Sequence, residues 1–420
     1  MTLLSPVQTK DRETFMDVLR GFAIFGIFIA NLGSGFSWYS EDAKLTGPFL
    51  VQGWDHKMLF LHHMLIEGKF YSIFSLLFGW GIALQVKRGM ASGINPMSTI
   101  KRRLAFMLLL GFGHLLVWTG DIVFFYAMLG FVLLPLLKLS NKAMLITAIC
   151  LLISPIFLYG LKMLFPVLNF PANALYGAGG WTDRYLNPQF ANITTQEEYM
   201  AAIKESNWWT YFKSNLSGIF YRYGYLVFVS RISKVLGMFL IGYLIGRTDF
   251  FKNLAQHRKH VYTIIIAGLL IGLPANYLLA HYMSTSMGDY FQLKEKGMYQ
   301  TIVYAFGVVP LALAYVGIFM LAFKTNAGNK FLTLLAPVGK MAFSNYIMHS
   351  LIGNFVFLPP GLGYMGQVGP VYYTLFALMV FILQIIISTI WLRYFNYGPV
   401  EWLWRSATYK KWQPMRRTNT

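Results

Sequence analysis

The chain has a single cysteine, Cys150, in 420 residues, and only 12% of its residues are charged. One thiol closes no disulfide and builds no cysteine metal site within one chain. Acidic residues are scarcest, 16 against 35 Lys and Arg, which leaves a formal charge of +19. A soluble nucleic-acid binder would gather that surplus in a domain of its own. Here the basic residues sit in short stretches beside apolar runs, so membrane topology and anionic lipid account for them better, and no nucleic-acid partner is expected. There is no low-complexity tract, no repeat of solenoid period and no separate soluble domain. What fills the chain is hydrophobic, 56% of residues, with 17% aromatic.

Continuous apolar runs of helix-spanning length recur along the sequence, which points to an all-α integral membrane protein rather than a barrel of short alternating strands. We place ten spanning segments near 16–36, 69–87, 102–119, 121–138, 142–164, 230–247, 260–280, 300–323, 331–356 and 371–394. The first follows a charged "KDRETFMDVLR" and lacks a small-residue cleavage site, so it reads as a helix and not as a signal peptide. With ten helices, Lys87, Arg88, Lys101, Arg102 and Arg103 share the side of Arg247, Lys252, Arg258 and Lys259. Lys324, Lys330 and the basic tail over 396–420 fall there too, which puts both termini in the cytoplasm. The whole of 1–420 reads as one transmembrane domain. Residues 165–230 form its outer loop and an interfacial segment, "SNWWTYFKSNLSGIFYRYGYLVFVS", within which 165–215 is rich in turn residues.

Ionisable groups at membrane depth are costly and mark sites or pairings. In "GFGHLLVWTGDIVFFY", His114 and Asp121 lie seven residues apart across a tight link. Asp121 suits the N-cap of the following helix; together with His114 it also makes a base and its orienter. Arg20 pairs with Asp17 at the edge of the first helix, and Asn31 lies about 16 Å further along at 1.5 Å per residue. Gly21, Ala23 and Gly26 permit close approach of another helix, and "FGWG" offers another smooth surface. Asn345, Tyr346 and His349 share a later helix, where polar packing is the plain explanation. Glu67 and Lys69 are placed at the outer boundary. His56, His62 and His63 invite zinc, yet no acidic or cysteine ligand has matching spacing, so no metal is expected.

The stretches "MDVLRGFAIFGIFIAN", "KFYSIFSLLFGWGIAL", "RRLAFMLLLGFGHLLVWTGDIVFFYAMLG", "LGMFLIGYLIGR", "VGKMAFSNYIMHSLI" and "IWLRYFNYGPVEWLWRSATY" occur in order. Together they resemble the YeiB-like family of bacterial multipass inner-membrane proteins over nearly the full chain. "HLLVWTGDI" and "YGPVEWLWR" are the most specific pieces. The resemblance implies a bacterial cytoplasmic-membrane location and a kinship with transmembrane acyltransferases, which take an acyl group from cytosolic acyl-CoA to an acceptor in or across the membrane. Those that acylate envelope sugars end their first helix in a catalytic histidine, where this chain has Asn31. The heparan-type N-acetyltransferases have an asparagine there and a histidine shortly after, for which His56, His62 and His63 are the neighbouring candidates. The expectation is a catalytic His114 oriented by Asp121, with acyl-CoA as donor. Arg20 and the basic 87–103 loop would meet its phosphates, and Asn31, Lys69, Asn345 and Tyr346 would bind donor or acceptor. The partners expected are lipid, donor and envelope acceptor; a homo-oligomer is compatible with this. The alternatives are a transporter or lipid-translocating protein using the same polar line, and a scaffold whose polar groups serve packing.

Overall fold

The computed structural model describes residues 14–39, 47–193, 195–251 and 253–417; the charged start before Thr14, and Lys252, lie outside the described residues. The helices, in order, are α1 (Thr14–Asn31), α2 (Trp54–Leu65), α3 (Lys69–Ala91), α4 (Met97–Val117), α5 (Val123–Leu136) and α6 (Asn141–Leu164). They continue with α7 (Phe170–Leu186), α8 (Gln196–Lys204), α9 (Trp208–Phe228), α10 (Arg231–Arg247), α11 (Leu254–Thr285) and α12 (Met287–Phe291). The last are α13 (Glu295–Phe323), α14 (Asn326–Leu332), α15 (Ala336–Lys340), α16 (Ala342–Phe357), α17 (Pro370–Tyr394) and α18 (Pro399–Tyr409). Among the described residues there are two isolated β-bridges and no strand. Six helical stretches are long and apolar enough to cross a membrane, seven if the bent pair α9–α10 counts as one span. This is a helical membrane protein.

Glycine explains how closely α3 and α10 cross. A Cβ on Gly79 of α3 would lie 1.9 Å from the Phe239 carbonyl oxygen, and one on Gly242 of α10 would lie 1.9 Å from that of Leu76. The two backbones meet through reciprocal glycines, the small-residue packing that replaces hydrophobic drive between membrane helices. Gly21 and Gly26 of α1 do the same against the Leu335 backbone and the Phe70 ring, as their small size led us to expect.

The six or seven candidate spans fall short of the ten placed from the sequence: α5, for one, is too short, and α10 passes only joined to α9. Two regions also differ in local structure. The turn-rich 165–215 is mostly helical, with α7 packed along α9. Glycines on both helices are contact positions: a Cβ on Gly179 of α7 would come within 2.8 Å of Tyr221, and one on Gly224 of α9 within 2.8 Å of Tyr176. The segment read as one span over 331–356 is broken into α14, a short turn, α15 and α16, with Pro337 at the first turn of α15. Proline fits a first turn, where its missing N–H has no partner to lose.

The basic connections gather at one end of the bundle. Lys87 bridges to Asp249, and Arg247 donates to the Leu139 carbonyl at 2.8 Å. Arg103 stacks on Trp404 of α18, 4.5 Å from the ring centroid, while the indole N–H of Trp404 donates to the Arg103 carbonyl.

A histidine–aspartate pair behind a basic cavity

Helix α4 ends because Trp118 turns extended, at φ −156° and ψ 118°. That leaves the last carbonyls of α4 without helical donors. Asn215 of α9 donates to Leu116 O and Asn354 of α16 donates to Val117 O, each at 2.9 Å. The link then doubles back, and α5 starts so close to α4 that a Cβ on Gly111 would lie 2.4 Å from the Phe124 nitrogen. Asp121 uses both of its oxygens. Its Oδ1 accepts from the Phe124 N–H at 2.7 Å, capping α5, and its Oδ2 lies 2.6 Å from Nδ1 of His114. The two side chains are buried.

A carboxylate only accepts, so against ionised Asp121 it is Nδ1 that donates, and a neutral imidazole in that tautomer carries its lone pair on Nε2. Among the described residues Nε2 has no hydrogen-bond partner, although it is fully buried. Buried polar atoms are nearly always paired, which makes this one a candidate for use. The imidazole packs edge-on against Tyr346, with ring centroids 5.3 Å apart, and the Tyr346 hydroxyl accepts from the Ile122 N–H at 3.1 Å.

Beyond Tyr346 lies a cavity of about 230 Å³. Its deep wall is Ile122, Val123 and Tyr346, and its sides are apolar, including Ile24, Ile27, Phe74, Phe78 and Met107. His114 itself stands one layer behind that wall. The other end is basic: Arg20, Arg88, Arg103, Lys340 and Arg405 line it, with Glu401 as the one acid among the lining residues. Arg103 and His114 are eleven residues apart on α4, about 16 Å along its axis. Arg20 is held by Asp17 at 2.9 Å. Glu401 accepts from the N–H groups of Phe343 and Ser344 at 2.6 and 3.1 Å and from the Ser344 hydroxyl, capping α16. Burial outweighs those bonds and pushes its carboxyl above the ordinary value.

The structure brings Arg20, Tyr346, His114, Asp121 and the basic 87–103 loop to one place, and puts the other candidates elsewhere. Asn31 ends α1, partly buried, away from the cavity lining. Asn345 donates to Ser388 of α17 at 3.1 Å and to the Val338 carbonyl, which is helix packing. Lys69, expected at an exposed boundary, is fully buried, and its ammonium donates to the His63 carbonyl at 2.8 Å. A carbonyl left by the end of α2 reaches it there, so the ammonium serves the α2–α3 corner and does not line the cavity. His349 lies 2.8 Å, through Nε2, from the Gln384 side-chain oxygen. The Thr374 hydroxyl donates to Pro370 O, so it accepts from Nε2 of His62, whose Nδ1 then accepts a hydrogen bond from the Tyr373 hydroxyl. No cluster of three metal-ligating side chains occurs among the described residues. Sequence reasoning missed the cavity's fourth wall, Lys340 and α18 with Glu401, Trp404 and Arg405. The signal was in "YGPVEWLWR", where Glu401, Trp404 and Arg405 fall one turn apart on one helix face.

The family model described as "Protein of unknown function (DUF418)" matches residues 245–411. The chain is 31% identical over 434 aligned positions to "Uncharacterized protein YxaH" of Bacillus subtilis, covering 99% of both chains. It is 28% identical to "Uncharacterized protein YeiB" of Escherichia coli, over 95% of this chain and 96% of that one. A third relative, "Uncharacterized 39.9 kDa protein in amylase 3'region" of Bacillus acidopullulyticus, is 25% identical over 98% of each. No solved structure matches.

Proposed function

Starting from its place in the YeiB-like family, to which the chain belongs, we propose that it is a membrane acyltransferase drawing on cytosolic acyl-CoA for an envelope or small-molecule acceptor. The observation that carries the reading is the buried His114–Asp121 pair, its free Nε2 set behind a cavity whose far end is lined by arginines. In this reading ten helices cross the bacterial cytoplasmic membrane, α1, α3, α4, α5, α6, α10, α11, α13, α16 and α17, and both termini are cytoplasmic. The gathering of basic connections at one end supports that orientation.

Guanidinium groups bind phosphate through paired hydrogen bonds, so Arg20, Arg88, Arg103 and Arg405 suit the nucleotide end of the donor. The apolar sides suit its acyl-pantetheine arm. Tyr346 and the 118–122 link divide that arm from His114, so the ring of Tyr346 must turn for the thioester to reach Nε2. There Nε2 takes the proton of the acceptor hydroxyl or amine as its oxygen or nitrogen bonds to the thioester carbonyl carbon. The C–S bond then breaks, and the proton passes from Nε2 to the departing thiolate. Asp121 keeps Nδ1–H in place and stabilises the transient imidazolium.

The test is calorimetry of the purified full chain in nanodiscs with acetyl-CoA and longer acyl-CoAs. Wild type should bind saturably, Arg88→Ala roughly tenfold more weakly for one lost phosphate contact of ~1.4 kcal/mol, and His114→Ala as wild type, because His114 lies outside the cavity lining. Absence of binding at every acyl length would overturn the reading.

A second reading has its own observation. Helices α9 and α10 are bent by 69° at a short break, the kind of discontinuity transporters use at substrate sites. A lipid-translocating protein would use the cavity as part of a path with no covalent step, and would show no acyl-CoA binding in the same experiment.

A further inference from the structure

The break between α9 and α10 holds a second, smaller cavity. Ser230 adopts a left-handed backbone, φ 52°, and α10 starts at Arg231. Arg231 and Lys234, one turn apart, both line the cavity with Glu67, Gln300 and Tyr304. Arg231 donates to the Tyr304 hydroxyl at 3.1 Å and stacks 4.3 Å over Tyr71. The Lys234 ammonium lies 3.8 Å over the Tyr304 ring. Among the described residues it meets no hydrogen-bond acceptor and no carboxylate within 4 Å, although the residue is 8% exposed. Neighbouring Lys162 does not resemble it, since its ammonium donates to the Phe228 carbonyl at 2.6 Å.

Three N–H donors on a buried ammonium call for an acceptor, and a ring face supplies only part of that. The cavity also holds the reverse want: the Gln300 side-chain oxygen is buried without a donor. Two cations stand against one carboxylate, Glu67, which is not within ion-pair distance of either. The cavity measures about 40 Å³, room for about three waters at 10–15 Å³ each.

We propose that this pocket binds a phosphate group carrying a protonated oxygen or a neighbouring hydroxyl. Its charged oxygens go to Lys234 and Arg231, and its donor goes to Gln300. The group has two sources, free phosphate or the headgroup of an anionic phospholipid such as phosphatidylglycerol. The site stands apart from the acyl-transfer reading, shares none of the first cavity's lining, and survives if that reading fails.

The experiment uses the full chain, delipidated in detergent, with inorganic phosphate and phosphatidylglycerol as probes and chloride and phosphatidylcholine as controls. Melting temperature and native mass spectrometry are the readouts. Wild type should gain thermal stability or retain mass adducts with one or both probes and with neither control. A gain with phosphate identifies the free anion, and adducts with phosphatidylglycerol alone identify the lipid. Lys234→Met should weaken the response at least tenfold without lowering the starting melting temperature, and Lys234→Arg should restore part of it. Equal responses in wild type and Lys234→Met, or none in wild type, would overturn the assignment.

Discussion

Asp121 is the residue at which structure and chemistry separate most cleanly, because its two oxygens do different things. In Asp121→Asn the side-chain oxygen can still cap Phe124, while the amide N–H₂ turns towards Nδ1 of His114. A donor there forces the proton onto Nε2, and the base is lost although the fold keeps its shape. Removing the orienting carboxylate in the same way lowers turnover about 10⁴-fold in a serine protease triad, so a loss of ~10³–10⁴ is expected here. The stability cost is small, ~1 kcal/mol, because a charged hydrogen bond is exchanged for a neutral one. Asp121→Ala is different in kind. It removes an N-cap worth ~1 kcal/mol and a charged bond worth ~1.5–3 kcal/mol, about 2.5–4 kcal/mol together, and leaves Nδ1 buried without a partner. The two variants should be equally inactive in release of free thiol from acyl-CoA, yet the alanine variant should melt well below the asparagine one in the same detergent. Transfer retained by Asp121→Asn would refute the dyad, and identical melting of the two variants would refute the capping argument.

Two further outcomes are expected. Lys69→Met exchanges a buried ammonium, satisfied by one carbonyl, for an apolar chain of similar length; acyl-CoA affinity should not change, and a loss of more than threefold in calorimetry would return Lys69 to the site. Glu401 has its carboxyl raised by burial, so its folded value lies above its unfolded one. Its contribution is then fully present below the unfolded value and lost as pH rises through the folded value. Wild type should therefore lose melting temperature relative to Glu401→Gln as pH climbs from the ordinary carboxylate range upward, and a gap that widens in favour of wild type would contradict this.

The apolar helices could be read from the sequence because apolar length is a local property: α6, α10, α13 and α17 begin and end within a few residues of the runs that announce them. The Asp121 cap was legible for the same reason, since a cap needs only its own turn. In the turn-rich 165–215 a glycine such as Gly179 reads as a turn in isolation and becomes a contact position once a partner helix is present. Only the folded chain supplies Tyr221 as that partner. Lys69 and Asn345 show a different limit: a buried polar residue signals that a partner exists but does not say whether it is a ligand or a neighbouring protein group, and both have protein partners. His114 found half of its partners. Asp121 satisfies Nδ1, and the opposite nitrogen faces no acceptor or donor among the described residues. His349 shows the same asymmetry, bonded to Gln384 through Nε2 and unpartnered at Nδ1 among the described residues, so what sets His114 apart is its carboxylate partner and its place behind the arginine-lined cavity.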